Sequence, residues 1–320
     1  MRSVIRLVVV ASLCLAGGCA APPERVAESP RPEAWSLLGR PLHRPEAGAA
    51  DRERMEAQLR EAEARLADEP ASEHAAIWVG RRLAYLGRYQ EAIAAFSRGL
   101  ENHPNSARLL RHRGHRYITV RRLDEAAADL ERASRLIAGM ADEVEPDGAP
   151  NRQNLPRSTL HTNVWYHLGL ARYLRGEFEA AAAAWGRCLE ASKNDDMKVA
   201  ASNWLYLSLR RAGRGEEARR VLEGVTRQMD VIENGTYHRL LLMHKGEMRP
   251  EELIGATGET AVDDSTVGYG VAMWYLLNEP GRAWEILEGV VSGKAWAAFG
   301  YIAAEAELAR MEAERARGGR

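Results

Sequence analysis

The chain has 320 residues, of which 44 are lysine or arginine and 45 are aspartate or glutamate, and its formal net charge is −1. This balance excludes the dominant basic surface that a nucleic-acid-binding protein requires. A hydrophobic fraction of 46%, with abundant alanine, leucine, glutamate and arginine, favours a helical protein.

The N-terminus has the features of a secretion signal. A basic start at Arg2 and Arg6 is followed by a short apolar run and by small residues that end at Cys19. The run is too short to span a membrane, so residues 1–18 are interpreted as a signal peptide. Positions 15–19, Leu-Ala-Gly-Gly-Cys, resemble a bacterial lipobox, with alanine where leucine is usual. The resemblance implies cleavage before Cys19 and acylation of that residue; a plain cleaved signal with an incidental cysteine is the alternative.

Residues 19–50 are predicted to form a proline-rich tether, because six prolines in this stretch interrupt any helix. Within it, the apolar segment 34–38 either folds back onto the body or docks a partner. Residues 51–70 are predicted to contain a charged helix with apolar residues on one face. We interpret this helix as an N-terminal cap over the first repeat.

Small residues then recur at a fixed spacing. Gly80 and Gly114 are 34 residues apart, as are Ala92 and Ala126. Small side chains at these positions allow two helices to approach each other. The spacing resembles the tetratricopeptide (TPR) repeat, in which a helix A and an antiparallel helix B are joined by a tight turn. The resemblance implies an all-α fold, a right-handed TPR superhelical solenoid of antiparallel helix pairs.

The remaining chain is divided on the same pattern. TPR repeats 1–2 are predicted over 73–140 and repeats 3–4 over 162–228, followed by divergent TPR-like helices and a C-terminal cap over 229–311. Between the second and third repeats lies a loop insertion, 141–161. It is longer than most connections between helices, and it is interpreted either as a partner-facing loop or as a plain insertion.

Motifs of catalysis and cofactor binding are incomplete in this sequence. The run 289–295 lacks the glycine spacing and the hydroxyl residue of a phosphate-binding loop. His112 and His115 lie three residues apart on a predicted helix, but the spacing indicates no third metal ligand. Cys188, the one free cysteine once the signal is cleaved and Cys19 is acylated, is interpreted as a packed thiol. We therefore expect no enzymatic activity, no cofactor and no metal.

The TPR resemblance also implies where a partner would bind. In TPR proteins, five positions of each helix A line the concave groove, and here they carry arginine, tyrosine, histidine and asparagine but no carboxylate. The candidate groove residues are Arg81, Tyr85, Arg108, Arg111, His115, Asn163, Tyr166, Tyr173, Asn203, Arg210 and Arg211. Because arginine pairs with carboxylates, we expect a protein or peptide partner that is acidic or ends in a carboxylate. Pairing of these arginines with acids elsewhere in the fold is the alternative.

Taken together, these features predict a membrane-anchored TPR adaptor for protein–protein interaction in the bacterial cell envelope. The outer membrane, on its periplasmic face, is favoured over the inner membrane because Ala20, and not aspartate, follows Cys19. The alternative is a structural subunit of an envelope transport or assembly complex. No nucleic-acid partner is expected.

Overall fold

The computed structural model describes residues 31–146, 148, 151–254 and 260–318. The predicted signal peptide, Cys19 and the first part of the tether lie outside the described residues. The helices are α1 (Ala49–Asp68), α2 (Glu73–Tyr85), α3 (Tyr89–Asn102), α4 (Ala107–Thr119), α5 (Leu123–Leu136), α6 (Leu160–Leu174), α7 (Phe178–Ala191), α8 (Asp195–Arg211), α9 (Gly215–Glu223), α10 (Gly235–His244), α11 (Pro250–Ile254), α12 (Ala261–Asn278), α13 (Ala283–Val291) and α14 (Phe299–Gly318). In the part of the chain described, no helix is both long and apolar enough to cross a membrane.

Consecutive helices pack in pairs, α2 with α3, α4 with α5, α6 with α7 and α8 with α9. In the first three of these pairs, a glycine in the first helix allows the second helix to approach closely. A Cβ atom on Gly80 would overlap the ring of Phe96, so the glycine allows that ring to fill the space between α2 and α3. The same close approach joins Gly114 to Leu130 and Gly169 to Trp185. The predicted all-α TPR fold is confirmed by this repeated contact.

The turns between paired helices share a left-handed backbone position. This position is Gly87, Gly176 and Gly213 in three of the pairs, with φ of 71°, 81° and 76°. Glycine adopts this conformation without a steric penalty. In the second repeat the same slot holds Arg121, with φ of 63°. A residue with a side chain is strained there, by about 1–2 kcal/mol.

The segment 34–38 folds back onto the helices. Strand β1 (Ala34–Trp35) pairs with strand β2 (Pro41–Leu42) in an antiparallel hairpin. The hairpin is held by the indole of Trp296, which donates to the backbone oxygen of His43 at 2.8 Å. Its Leu37 N–H also donates to a carboxylate oxygen of Glu305 at 3.3 Å. The first of the two alternatives for this segment therefore describes the structure.

The 141–161 insertion lies against helices α2, α4 and α6. Its two ends meet at an isolated bridge between Val144 and Thr159. The N–H of Leu160 donates to the oxygen of Glu143 at 2.9 Å. Helix α6 begins at Leu160, so the insertion ends at Thr159, two residues before the predicted end at 161. The insertion therefore forms part of the wall beside these helices.

The C-terminal helix does more than cover the last repeat. Helix α14 packs against α12 and α13, and it also contacts α6. Arg310 of α14 donates to the oxygen of Leu174 at 3.0 Å, and Arg211 of α8 forms an ion pair with Glu307. The helix thus reaches the third and fourth repeats, which the prediction of a terminal cap did not include.

Candidate functional site

A cavity of about 480 Å³ lies on the face that α2, α4 and α6 share with α8, α10 and α12. We call this face the inner face. Phe299, at the start of α14, forms part of the cavity wall. The cavity brings together six of the candidate groove residues from three different helices. They are Arg81, Tyr85, Arg111, His115, Asn163 and Tyr166.

The other candidate residues lie outside this cavity, and all of them except Asn203 have side-chain partners within the fold. Tyr173 is fully buried, and its hydroxyl lies 2.7 Å from that of Tyr269; burial raises the pKa of Tyr173 to about 12. Asn203 is also buried. Arg210 donates to the hydroxyl of Tyr206 at 2.7 Å.

Three of the five candidate arginines form ion pairs with carboxylates of this chain. The pairs are Arg108 with Glu143, Arg111 with Glu145, and Arg211 with Glu307. Two of these carboxylates come from the 141–161 insertion and one comes from α14. For these three arginines, the alternative of pairing within the fold describes the structure.

Glu145 fixes one wall of the cavity. Its buried carboxylate accepts hydrogen bonds from Arg111 and from the side-chain amide of Asn163, and its N–H donates to the oxygen of Ser158 at 3.1 Å. Among the described atoms, Nε of Arg111 is buried and has no hydrogen-bond acceptor. If the insertion moved away, Arg111 would be left as a buried charge without its carboxylate partner, which is unfavourable. The insertion is therefore a fixed wall of the cavity.

Arg116, which was not among the candidates, is the cavity's least satisfied charged group. Its guanidinium forms no hydrogen bond or ion pair with any residue that the structure describes, and it lies 5.7 Å from the ring centre of Tyr89. Burial in the cavity wall, with the charges of Arg111 and Arg81 nearby, lowers the pKa of Arg116 to about 10. The five-position rule missed it because its backbone lies beside the groove positions, and only a long side chain reaches the cavity.

Three histidines line the same cavity as Arg116. Burial is the main cause that lowers the pKa of His112 and His115 well below the usual value, and that of His167 to about 3. The rings of His115 and His167 lie 4.3 Å apart, and His115 lies 5.2 Å from Phe299. At neutral pH these rings are uncharged, so the positive charge of the cavity is carried by its arginines.

His112 and Cys188, which the sequence analysis considered for chemistry, are both packed within the fold. His112 stacks on Phe96 at 5.5 Å, and within the described ranges no group of three or more His, Cys, Asp or Glu side chains is arranged to hold a metal. Cys188 is fully buried, and burial raises the pKa of its thiol to about 12. The thiol is therefore uncharged and packed.

The opposite wall of the cavity is rich in hydroxyl groups. The hydroxyls of Tyr166 and Tyr237 lie 3.1 Å apart, and Trp204 donates to that of Tyr166 at 3.0 Å. Asp263 accepts a hydrogen bond from Thr236 at 3.0 Å. The cavity therefore has a cationic side on α4 and a hydroxyl side on α10 and α12.

Comparison with known proteins gives partial structural likeness. No family model and no curated protein matches the chain. Among solved structures, it is similar to the MamA protein (15% identity, TM-score 0.41, covering 62% of this chain and 89% of that one). It is similar to YrrB, described as a TPR protein with an unusual peptide-binding site (15% identity, TM-score 0.42, covering 72% of this chain and 91% of that one). It is also similar to a tetratricopeptide repeat protein from Parabacteroides merdae (16% identity, TM-score 0.49, covering 81% of this chain and 94% of that one).

Proposed function

We propose that the protein is a membrane-anchored TPR adaptor that binds a protein or peptide in its groove, at the mouth of the inner-face cavity. The observation that carries this proposal is the convergence of six candidate groove residues from α2, α4 and α6 on one cavity. Helix pairs hold these side chains rigidly, which lowers the entropy lost when a partner binds.

Tyr85 is the residue that we expect to make the main contact with a partner. Its side chain is 38% exposed, although it is large and partly apolar, and the guanidinium of Arg81 donates to its hydroxyl at 3.2 Å. Tyrosines held in one position provide contact area at a low entropy cost, and arginines beside them select acidic groups. The mouth of the cavity therefore favours an acidic segment of the partner.

The anchor belongs to the same proposal. Acylation of Cys19 would place the body on the envelope membrane, and the residues that follow would give it reach. A periplasmic position at the outer membrane is our preferred location, because Ala20 follows the cysteine. The alternative role, a structural subunit of an envelope transport or assembly complex, would use the same fold with one permanent partner.

Site-specific photo-crosslinking in cells tests the adaptor function. A photoreactive residue at Tyr85 should form an adduct with a partner protein, and the same residue at Arg98, an exposed position of α3, should not. The captured protein, made separately, should bind the purified chain and should bind Tyr85→Ala at least about tenfold more weakly. Equal adducts at both positions, or undiminished binding by the variant, would contradict the proposal. Several partners at variable ratio favour the adaptor; one partner at a fixed ratio favours the subunit.

A further inference from the structure

The positive charges that line the cavity are not all paired with a carboxylate. Three guanidinium groups lie there, those of Arg81, Arg111 and Arg116. Only Arg111 has a carboxylate partner, Glu145, among the residues the structure describes. Arg81 uses its donors on the hydroxyl of Tyr85 and on the oxygen of Pro146, at 3.2 and 2.9 Å. A cation partly removed from water is unfavourable without an anion beside it, so Arg116 is the group that lacks a partner.

The carboxylates on the far side do not supply that partner. Asp263 accepts hydrogen bonds from Thr236 and Thr260, at 3.0 and 2.8 Å. Glu233 accepts a hydrogen bond from Asn151. Both acids are therefore held on the hydroxyl side of the cavity.

Two further donors beside Arg116 also lack acceptors. The ring nitrogens of His115 form no hydrogen bond with described residues, and a neutral imidazole carries one N–H. Arg111, His115 and Arg116 all come from α4 and line the same cavity. Nε of Arg111 is the other donor, buried and without an acceptor. A guanidinium and two N–H groups without acceptors in one place form a receptor for oxygen anions.

The surroundings limit the size of what can bind. Gly148 of the insertion packs so closely on Tyr85 and Arg81 that a Cβ atom there would clash with both. On another side, Phe299 packs against His115. An extended peptide that followed the inner face would have to displace α14, which two ion pairs with buried carboxylates hold in place, Arg121 with Glu305 and Arg211 with Glu307. A volume of about 480 Å³ is typical of small-molecule sites.

Apolar groups complete the site. The rings of Phe96 and Phe299 and the methyl group of Ala84 line the same cavity. They offer a surface to the body of a ligand whose charged end is held elsewhere. The combination selects a molecule with one carboxylate and a compact apolar body.

We propose that the cavity binds a small organic carboxylic acid, whose carboxylate is held by Arg116, His115 and Nε of Arg111. The site is a subsite deeper than the mouth at which a protein partner is proposed to bind. The inference goes beyond the adaptor function and does not depend on it. A protein with both sites would report the presence of a small acid to its partner.

Calorimetric titration of the full chain, purified in detergent, tests the proposal. The probes are acetate, benzoate, phenylacetate and succinate, with benzamide as the uncharged isostere of benzoate and an acidic tetrapeptide as a peptide probe. We expect benzoate or phenylacetate to bind with a stoichiometry of one and more tightly than acetate or succinate, and benzamide not to bind. Arg116→Gln should weaken that binding by about 30-fold or more, as expected for loss of one partner of a desolvated charge pair. Arg98→Gln, an exposed arginine of α3, is the matched control and should leave affinity unchanged.

Two more variants keep the test decisive if Arg116→Gln is misfolded by circular dichroism. Arg116→Lys retains the charge and should retain partial affinity, and His115→Phe retains the ring packing and should weaken binding. The proposal is overturned if no acid binds, if benzamide binds as well as benzoate, if only the tetrapeptide binds, or if all folded variants bind like the wild type. Crosslinking at Tyr85 is unaffected by these results, so failure of the small-acid site is distinguishable from failure of the adaptor function.

Discussion

Arg121 and Glu305 are 184 residues apart in the sequence and form a buried ion pair with two hydrogen bonds of 2.9 Å. Their side chains are 3% and 1% exposed. The same carboxylate accepts the N–H of Leu37, and the same guanidinium donates to the oxygen of Trp296. The N-terminal hairpin, the turn of the second repeat and the C-terminal helix therefore meet at one point.

Removal of Arg121 should be strongly destabilising. Arg121→Met leaves Glu305 buried and unpaired, so we expect a loss of about 3–5 kcal/mol in the free energy of unfolding, measured by urea denaturation. Arg219→Met, which breaks an exposed pair with Glu216, is the control and should lose less than about 1 kcal/mol. Adding Glu305→Met to Arg121→Met should restore part of the stability. If the double variant has a lower free energy of unfolding than Arg121→Met, the unpaired charge of Glu305 is not what destabilises the single variant.

The helix pairs should not accept a larger side chain at their contact. Ala92 of α3 is fully buried, and Ala92→Trp should lower the free energy of unfolding by about 1–3 kcal/mol or more. Ala94→Trp, two residues away on the exposed side of α3, is the matched control. If urea denaturation finds equal midpoints for both variants, the assignment of Ala92 to the helix contact is wrong.

Acid should destabilise the fold through its buried histidines. The pKa of His167 is lowered to about 3, and that of His244 is likewise lowered to about 3, both mainly by burial. In the unfolded chain a histidine titrates near 6.5. Between these values the unfolded state binds a proton that the folded state does not, so stability falls as the pH falls from about 6.5 towards 3.

The measurement compares unfolding free energies at pH 7.5 and 5.0. His167→Asn should reduce the loss between these two pH values by about 1–2 kcal/mol, because one protonation linked to unfolding is removed. His43→Gln, at an exposed position, is the control. A loss on acidification that is the same in His167→Asn and in the wild type would contradict the role of this histidine.

The lipid anchor is a prediction on residues outside those described. Cys19→Ser should abolish labelling by palmitate and should release the protein from membranes. Cys14→Ser is the matched control, because Cys14 lies in the same signal segment, and it should leave both unchanged. Labelling that persists in Cys19→Ser would exclude the anchor.

Contacts between residues of the same repeat could be predicted from the sequence. Gly80 and Phe96 contact each other within one repeat, so the period of 34 residues was enough to predict their helix pair. It was uninformative for contacts that cross the array. Nothing in the repeat pattern links Arg121 to Glu305, and nothing in it predicts that Glu145 neutralises Arg111.

The junction at Glu305 changes how the array should open. An open stack of repeats frays from its ends, since each terminal unit contacts only one neighbour. Here α14 cannot peel away without also uncovering the turn at Arg121. We therefore expect amide protons near the C-terminus, such as those around Ile302, to be protected from exchange with solvent to the same degree as those of the second repeat, and the two regions to lose protection together.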